Sequence, residues 1–178
     1  MVEERIYFGT AGNDLVIIPA GHITATLCPE LKAKIQGILD PDSRIGSLRF
    51  DLSSCDYMDS TFLGLIVYFS KAVRSLGLSA PVIHRANAQC KSLFRTMGML
   101  TMLEFSSEAC PSPMAGQELV GNEAISAGFL LDVHKELSLL SAENDERFRL
   151  LTDALTESLH SRSEPIDKDK EPESLLKD

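Results

Sequence analysis

The chain has 178 residues, 44% apolar and 24% charged, which fits one globular domain with some chain to spare and excludes collagen-like and wholly disordered classes. No window approaches the roughly 18 uninterrupted apolar residues of a membrane span, and Met1-Val2-Glu3-Glu4-Arg5 lacks the basic start and apolar run of a signal peptide, so a soluble, cytoplasmic protein is expected. A net charge of -9, from 17 basic and 26 acidic residues, repels a phosphate backbone and sets nucleic acid aside as a ligand.

Taken in chain order, residues 5–10 and 14–19 read as two strands paired across the Gly12-Asn13 turn. Pro29-Glu30 then opens a helix with Leu31, Ile35, Ile38 and Leu39 on one face, proline being tolerated in a first turn because its missing N–H would have had no partner there. Asp40-Pro41-Asp42 stops it, and residues 47–52 form a strand with Leu48, Phe50 and Leu52 alternating. Met58-Asp59-Ser60-Thr61 precedes an apolar run over 62–76 that Gly77 ends, which is an N-cap cluster, a helix and a C′ glycine. A strand over 80–84, a helix over 88–97 with Cys90, Leu93, Phe94 and Met97 on one face, and a last strand over 100–105 complete the region. The order predicts an α/β fold, a mixed sheet of four to five strands with helices packed against it.

Residues 106–128 turn to Ser, Pro, Gly, Ala and Glu and read as a linker. Residues 129–160 return to helical spacing, with Leu130, Val133, Leu137 and Leu140, then Phe148, Leu151, Leu155 and Leu159, separated by a polar stretch around Ser141. That predicts a C-terminal helical extension, as one long helix with a phase shift or two shorter ones. Residues 161–178 are charged, hold two prolines and few apolar residues, and are expected to be a disordered acidic tail. Charge follows this division: residues 132–178 carry thirteen acidic and seven basic side chains, a net of -6, leaving -3 for the 131 residues before them.

Chemistry concentrates at Tyr57-Met-Asp-Ser-Thr-Phe-Leu-Gly64. Hydroxyls at a helix N-terminus lie where backbone N–H groups point outward and negative charge is favoured, so a phosphoryl group on Ser60 would be stabilised there, opposed by Asp59. The plainer reading makes Asp59 or Ser60 the helix cap. A triad of Ser60, His84 and a carboxylate lacks Gly-x-Ser-x-Gly, since Met58 and Phe62 hold the glycine positions; no enzymatic activity is expected. His22, His84, His134 and His160 have no i, i+4 histidine partners, and Cys28, Cys55, Cys90 and Cys110 are too far apart for a zinc motif. Neither a metal nor a cofactor is expected, and the thiols should be reduced.

The stretch Phe50-Asp-Leu-Ser-Ser-Cys-Asp-Tyr-Met-Asp-Ser-Thr-Phe-Leu-Gly-Leu-Ile66 resembles the signature of STAS domains, specifically of bacterial anti-sigma factor antagonists. Ile18-Pro-Ala-Gly-His-Ile23 resembles that family's first-strand end, and Lys91-Ser-Leu-Phe-Arg-Thr-Met-Gly-Met-Leu100 its late helix. The resemblance implies a STAS domain over 1–105 and a partner switch rather than a catalyst. Unphosphorylated antagonist would bind an anti-sigma factor that is also a serine kinase, phosphorylation of Ser60 would release it, and a metal-dependent serine phosphatase would reverse the step. The resemblance implies Ser60 as the acceptor with Thr61 as an alternative second one, and His22, Thr24, Asp59, Ser60, Thr61 and Phe62 as the partner-binding residues. Two positions depart from the pattern: Phe62 replaces a usual Gly, implying a bulkier kinase-facing surface, and His22 and Thr24 replace acidic or polar residues. These departures and the added helix leave an alternative, a non-switching scaffold subunit of a signalling or transport complex. The leucine stripe of the extension fits docking on the core, a homodimer or a partner helix.

Overall fold

The computed structural model describes residues 3–121 and 123–163. Its elements are β1 Arg5–Ala11, β2 Asp14–Ile23, α1 Cys28–Ile38, β3 Ser47–Asp51, β4 Ser54–Met58, α2 Ser60–Ser75, β5 Val82–His84, α3 Ala88–Thr96, β6 Glu104–Ser106, β7 Ala115–Glu118, α4 Ala127–Ser138 and α5 Ala142–Ser163. The architecture is the expected mixed α/β fold with a helical extension. The sheet has seven strands in the order β6-β5-β3-β2-β1-β7, with β4 paired to β2, rather than four or five.

The hairpin β1–β2 is antiparallel, with Gly12 at φ +62 in its turn, a conformation a side chain would strain. β2 runs parallel to β3 over Asp14–Ile17, then switches partner to β4 over Ala20–Ile23, with an irregularity at Gly21/His22. Pro19 falls between the two pairings, where a residue without an N–H is tolerated. β4 was not anticipated because its five residues, Ser-Cys-Asp-Tyr-Met, lack a clear alternation.

Alternate residues of the central strands face opposite sides. Leu15, Ile17, Leu48, Phe50 and Ile83 point into one core with α1, α2 and α3 packed on it. Val16 is fully buried yet lies outside that cluster, on the other face of the sheet. The cover for that face comes from the segment expected to be a linker. β6 and β7 sit at opposite edges, so residues 107–114 must cross the intervening strands. Five strand spacings are about 24 Å, within reach of eight extended residues. The Nδ1–H of His84 donates to the Glu108 carbonyl at 3.1 Å, and Cys110 is buried beside Asp14, Arg49, Asp51 and Arg85. The linker reading is therefore corrected: this stretch is a strap that ends in β7, paired to β1 with the Gly9 backbone close against it. Its exposed, glycine-bearing strand carries no apolar pattern to announce it.

The extension is two helices that meet at residues 139–141. Ser141 accepts from the Asn144 N–H, and the Asn144 side chain donates to the Leu137 and Met97 carbonyls, fixing the turn. Phe129, Val133 and Leu137 of α4 and Phe148 of α5 belong to the same core cluster as the sheet, so the extension docks on the domain. The tail expected over 161–178 lies, beyond Ser163, outside the described residues. Among the described residues no helix is long and apolar enough to cross a membrane, and the four cysteines are buried free thiols.

Candidate functional site

The site forms where β2 and β4 end side by side and α2 begins. Asp59 follows β4 directly; its backbone N–H donates to the Ile23 carbonyl, tying the junction to the end of β2. Its extended backbone and carboxylate make it the N-cap of α2, with Oδ1 accepting from the Phe62 N–H at 3.0 Å. Burial holds the Asp59 carboxyl above the usual carboxylate range, only partly offset by N–H groups of Phe62, Thr61 and Ala25 and by nearby His134. A half-buried carboxylate with its lone pairs already committed to the backbone is a positioning element.

Ser60, the first residue of α2, is half-buried. Its Oγ lies 3.0 Å from Nε2 of His134, which comes from α4. Nδ1 of His134 is 2.8 Å from the Leu130 carbonyl. A carbonyl only accepts, so Nδ1 carries the proton, and in the neutral ring Nε2 accepts the Ser60 hydroxyl proton. The imidazole is only 3% exposed and packs at 5.4 Å from the Phe148 ring. Four residues along α2, Gly64 lets the two helices touch: a Cβ there would overlap the Val133 carbonyl. Ion pairs of Lys71 with Glu136 and of Lys32 with Asp132 flank this contact.

The neighbouring loop carries Thr24, exposed, with its N–H and hydroxyl donating to the Glu4 carboxylate at 2.7 and 3.0 Å. His22 is exposed at the end of β2, its ring 5.8 Å from that of Tyr57 on β4. Asp59, Ser60, Thr24 and His22 thus share one end of the sheet. Phe62 and Thr61 do not join them. Phe62 is fully buried in an edge-to-face contact with Phe50 at 6.4 Å, so it packs the core and adds no bulk to a partner-facing surface. Thr61 is 4% exposed, so its hydroxyl is turned away from solvent. Both corrections follow from helical geometry: positions after the cap rotate by about 100° per residue, and the second and third of this helix face inward.

His134, Gly64 and Val133 were missed. The available signals were a histidine set into the Leu130, Val133, Leu137 stripe and a glycine inside an apolar helix, each of which marks close packing once a partner element is known. Among the described residues no group of three His, Cys, Asp or Glu side chains is placed to hold a metal ion.

A family model described as "Mlab, STAS domain" matches residues 6–104. Among solved structures, the anti-sigma factor antagonist SpoIIAA in its unphosphorylated form is similar, at 13% identity and a TM-score of 0.52, covering 58% of this chain and 89% of that one. A Thermotoga maritima protein assigned as an anti-sigma factor antagonist is similar at 15% identity and a TM-score of 0.50, covering 57% of this chain and 85% of that one. At these identities the structural likeness is one of fold. No curated protein matches the chain. The helices α4 and α5 lie beyond the residues that the family model matches.

Proposed function

The chain belongs to the STAS domain family, and from that premise we propose that it is an anti-sigma factor antagonist working by phosphorylation-dependent partner switching at Ser60. The observation that carries the reading is the position of Ser60 directly after the Asp59 cap, at the N-terminus of α2 and beside the ends of β2 and β4. The partner is an anti-sigma factor with serine kinase activity, which binds the unmodified hydroxyl form; a metal-dependent serine phosphatase regenerates that form. His22, Thr24 and Asp59 surround Ser60 in the bound surface.

Charge supplies the switch. A phosphoserine adds about -1.5 to -2 charges at neutral pH, here next to a carboxylate already raised by burial. In an interface fitted to a neutral hydroxyl this brings repulsion and desolvation cost, and a loss of about 3 kcal/mol would weaken binding roughly a hundredfold. Phosphate-affinity electrophoresis of wild type and Ser60→Ala from the native host tests the reading. A shifted band in wild type that Ser60→Ala lacks is expected, and identical single bands in every growth state would overturn it.

One observation favours a second reading, a scaffold subunit with a constant partner: the Ser60 hydroxyl is already engaged by His134 under α4. Capture of partners with Ser60→Asp separates the two. Retention of every partner supports the scaffold; loss of one supports the switch.

A further inference from the structure

The face of α2 that carries Ser60 is occupied within the chain itself. α4 lies on it through a single stripe, Phe129, Val133 and Leu137, with His134 reaching Ser60 and the Val133 backbone seated on Gly64. We infer that α4 is an intramolecular competitor for this face, and that docked α4 and a phosphoryl group on Ser60 exclude one another. This rests on the proposal that Ser60 is the acceptor, and deepens it by naming what controls access to it.

Three features of the contact lead there. The first is space. Oγ and Nε2 are 3.0 Å apart, ordinary hydrogen-bond contact, and leave no volume for a phosphorus atom with three further oxygens. The ring does not swing aside cheaply, because Nδ1–H is bound to the Leu130 carbonyl of its own helix and Phe148 packs beside it. The second is hydrogen bonding. In the transfer, a base of the kinase takes the Oγ proton, and Oγ bonds to the terminal phosphorus of a nucleoside triphosphate as the bond from that phosphorus to the departing nucleoside diphosphate breaks. The dianionic product offers only acceptors to a neutral Nε2, which is itself an acceptor, so the bond from the Ser60 hydroxyl is lost. The third is the tether. The stretch between β7 and α4 is pinned at its start, where the Leu119 N–H donates to the Ile6 carbonyl and the Gly121 N–H to Glu30 Oε2, and it leaves Val120 and Ile125 exposed ahead of α4. A displacement of α4 that begins past Gly121 leaves the pairing of β7 with β1 intact.

The chain therefore has a closed form, with α4 docked and the hydroxyl bound, and an open form in which Ser60 and the Gly64 groove are available. A kinase reaches Ser60 in the open form, and a partner that covers this face must displace α4. Phosphorylation then holds the chain open, because the closed form has no room for the product.

The test is hydrogen exchange of residues 129–137 in the full chain, unmodified and with phosphoserine installed at position 60 by translation. Exchange is expected to speed up on the order of tenfold or more with phosphoserine, the factor that a 1.4 kcal/mol loss produces, while amides of β2 and β3 stay protected. Unchanged or greater protection would overturn the inference and make His134 a phosphate clamp. Gly64→Ala, which pushes on the Val133 carbonyl without touching Ser60, should open the same residues. Should that variant fold poorly, His134→Ala removes the latch together with the ring's packing on Phe148 and should also open them. Failure here is distinct from failure of the proposed function: protected α4 with a phosphate band in the host leaves the switch standing, and opened α4 without such a band leaves only the cover.

Discussion

Two carboxylates at the same end of the sheet, Asp51 buried and Asp59 half-buried, respond to pH in opposite senses. Burial works against the charge of Asp51, but the hydrogen bonds from Arg85, at 2.6 Å, and from Ser53 outweigh it and hold its carboxyl below the usual range. A depressed folded pKa means stability present above the unfolded value of about 3.9 and lost as pH falls through the folded value. Asp59 is raised, so its contribution is present below the unfolded value and lost as pH rises through the folded one. Urea denaturation between about pH 3 and pH 7 should therefore show an acid limb that Arg85→Gln flattens. Asp59→Asn, still a competent cap, should lose less stability than wild type as pH rises across that window. Ser60 and Thr61 differ as sharply, one half-exposed beside His134 and the other buried. Thr61→Ala should leave any phosphate band intact and register instead as reduced stability, read by the urea midpoint.

At the scale of elements, the strap and α4 were hard to foresee for different reasons. The strap is held by close backbone approach: a Cβ on Gly9 would overlap Ala115 and Pro113, and one on Gly116 would overlap the Tyr7 ring. Gly9→Ala should cost about 1–3 kcal/mol as an overpacking substitution. Cys110 reports on the strap directly. Burial pushes its thiol up to about 11, so its alkylation is slow in the folded chain and should accelerate in Gly9→Ala while Cys55 and Cys90 stay protected. Helix α2 was read nearly end to end, because the Asp59 cap and Gly77 at φ +75 are local signals. Strand β6 was placed too early and drawn too long: residues 100–103 form a turn and a short connection, and three residues are paired to β5.

For the whole molecule, the measurable consequence of α4 sharing the core is cooperativity. Leu137→Ala removes a fully buried side chain from the single cluster that also holds Phe50 and Phe62, and should lower stability by about 2–5 kcal/mol. In the unmodified, closed chain, fluorescence of a label on α4 and far-ultraviolet circular dichroism should follow the same transition in equilibrium unfolding; separate midpoints would show that the extension melts by itself. Most of the central α/β unit and the Asp59-Ser60 junction were legible because their signals lie within a few residues: a cap, a glycine stop, an alternation of two, a face of 3.6. Those short-range patterns determined by themselves that a helix follows the Asp59-Ser60-Thr61 cap cluster and stops at Gly77. They did not determine what stands over it. His134 is 74 residues from Ser60 along the chain, and its approach depends on a strap crossing the back of the sheet, a seventh strand closing the edge and a glycine admitting a second backbone. Contacts of that separation are set by chain topology and packing, which no local periodicity encodes, so the tertiary structure alone decided that His134 of α4 stands against Ser60.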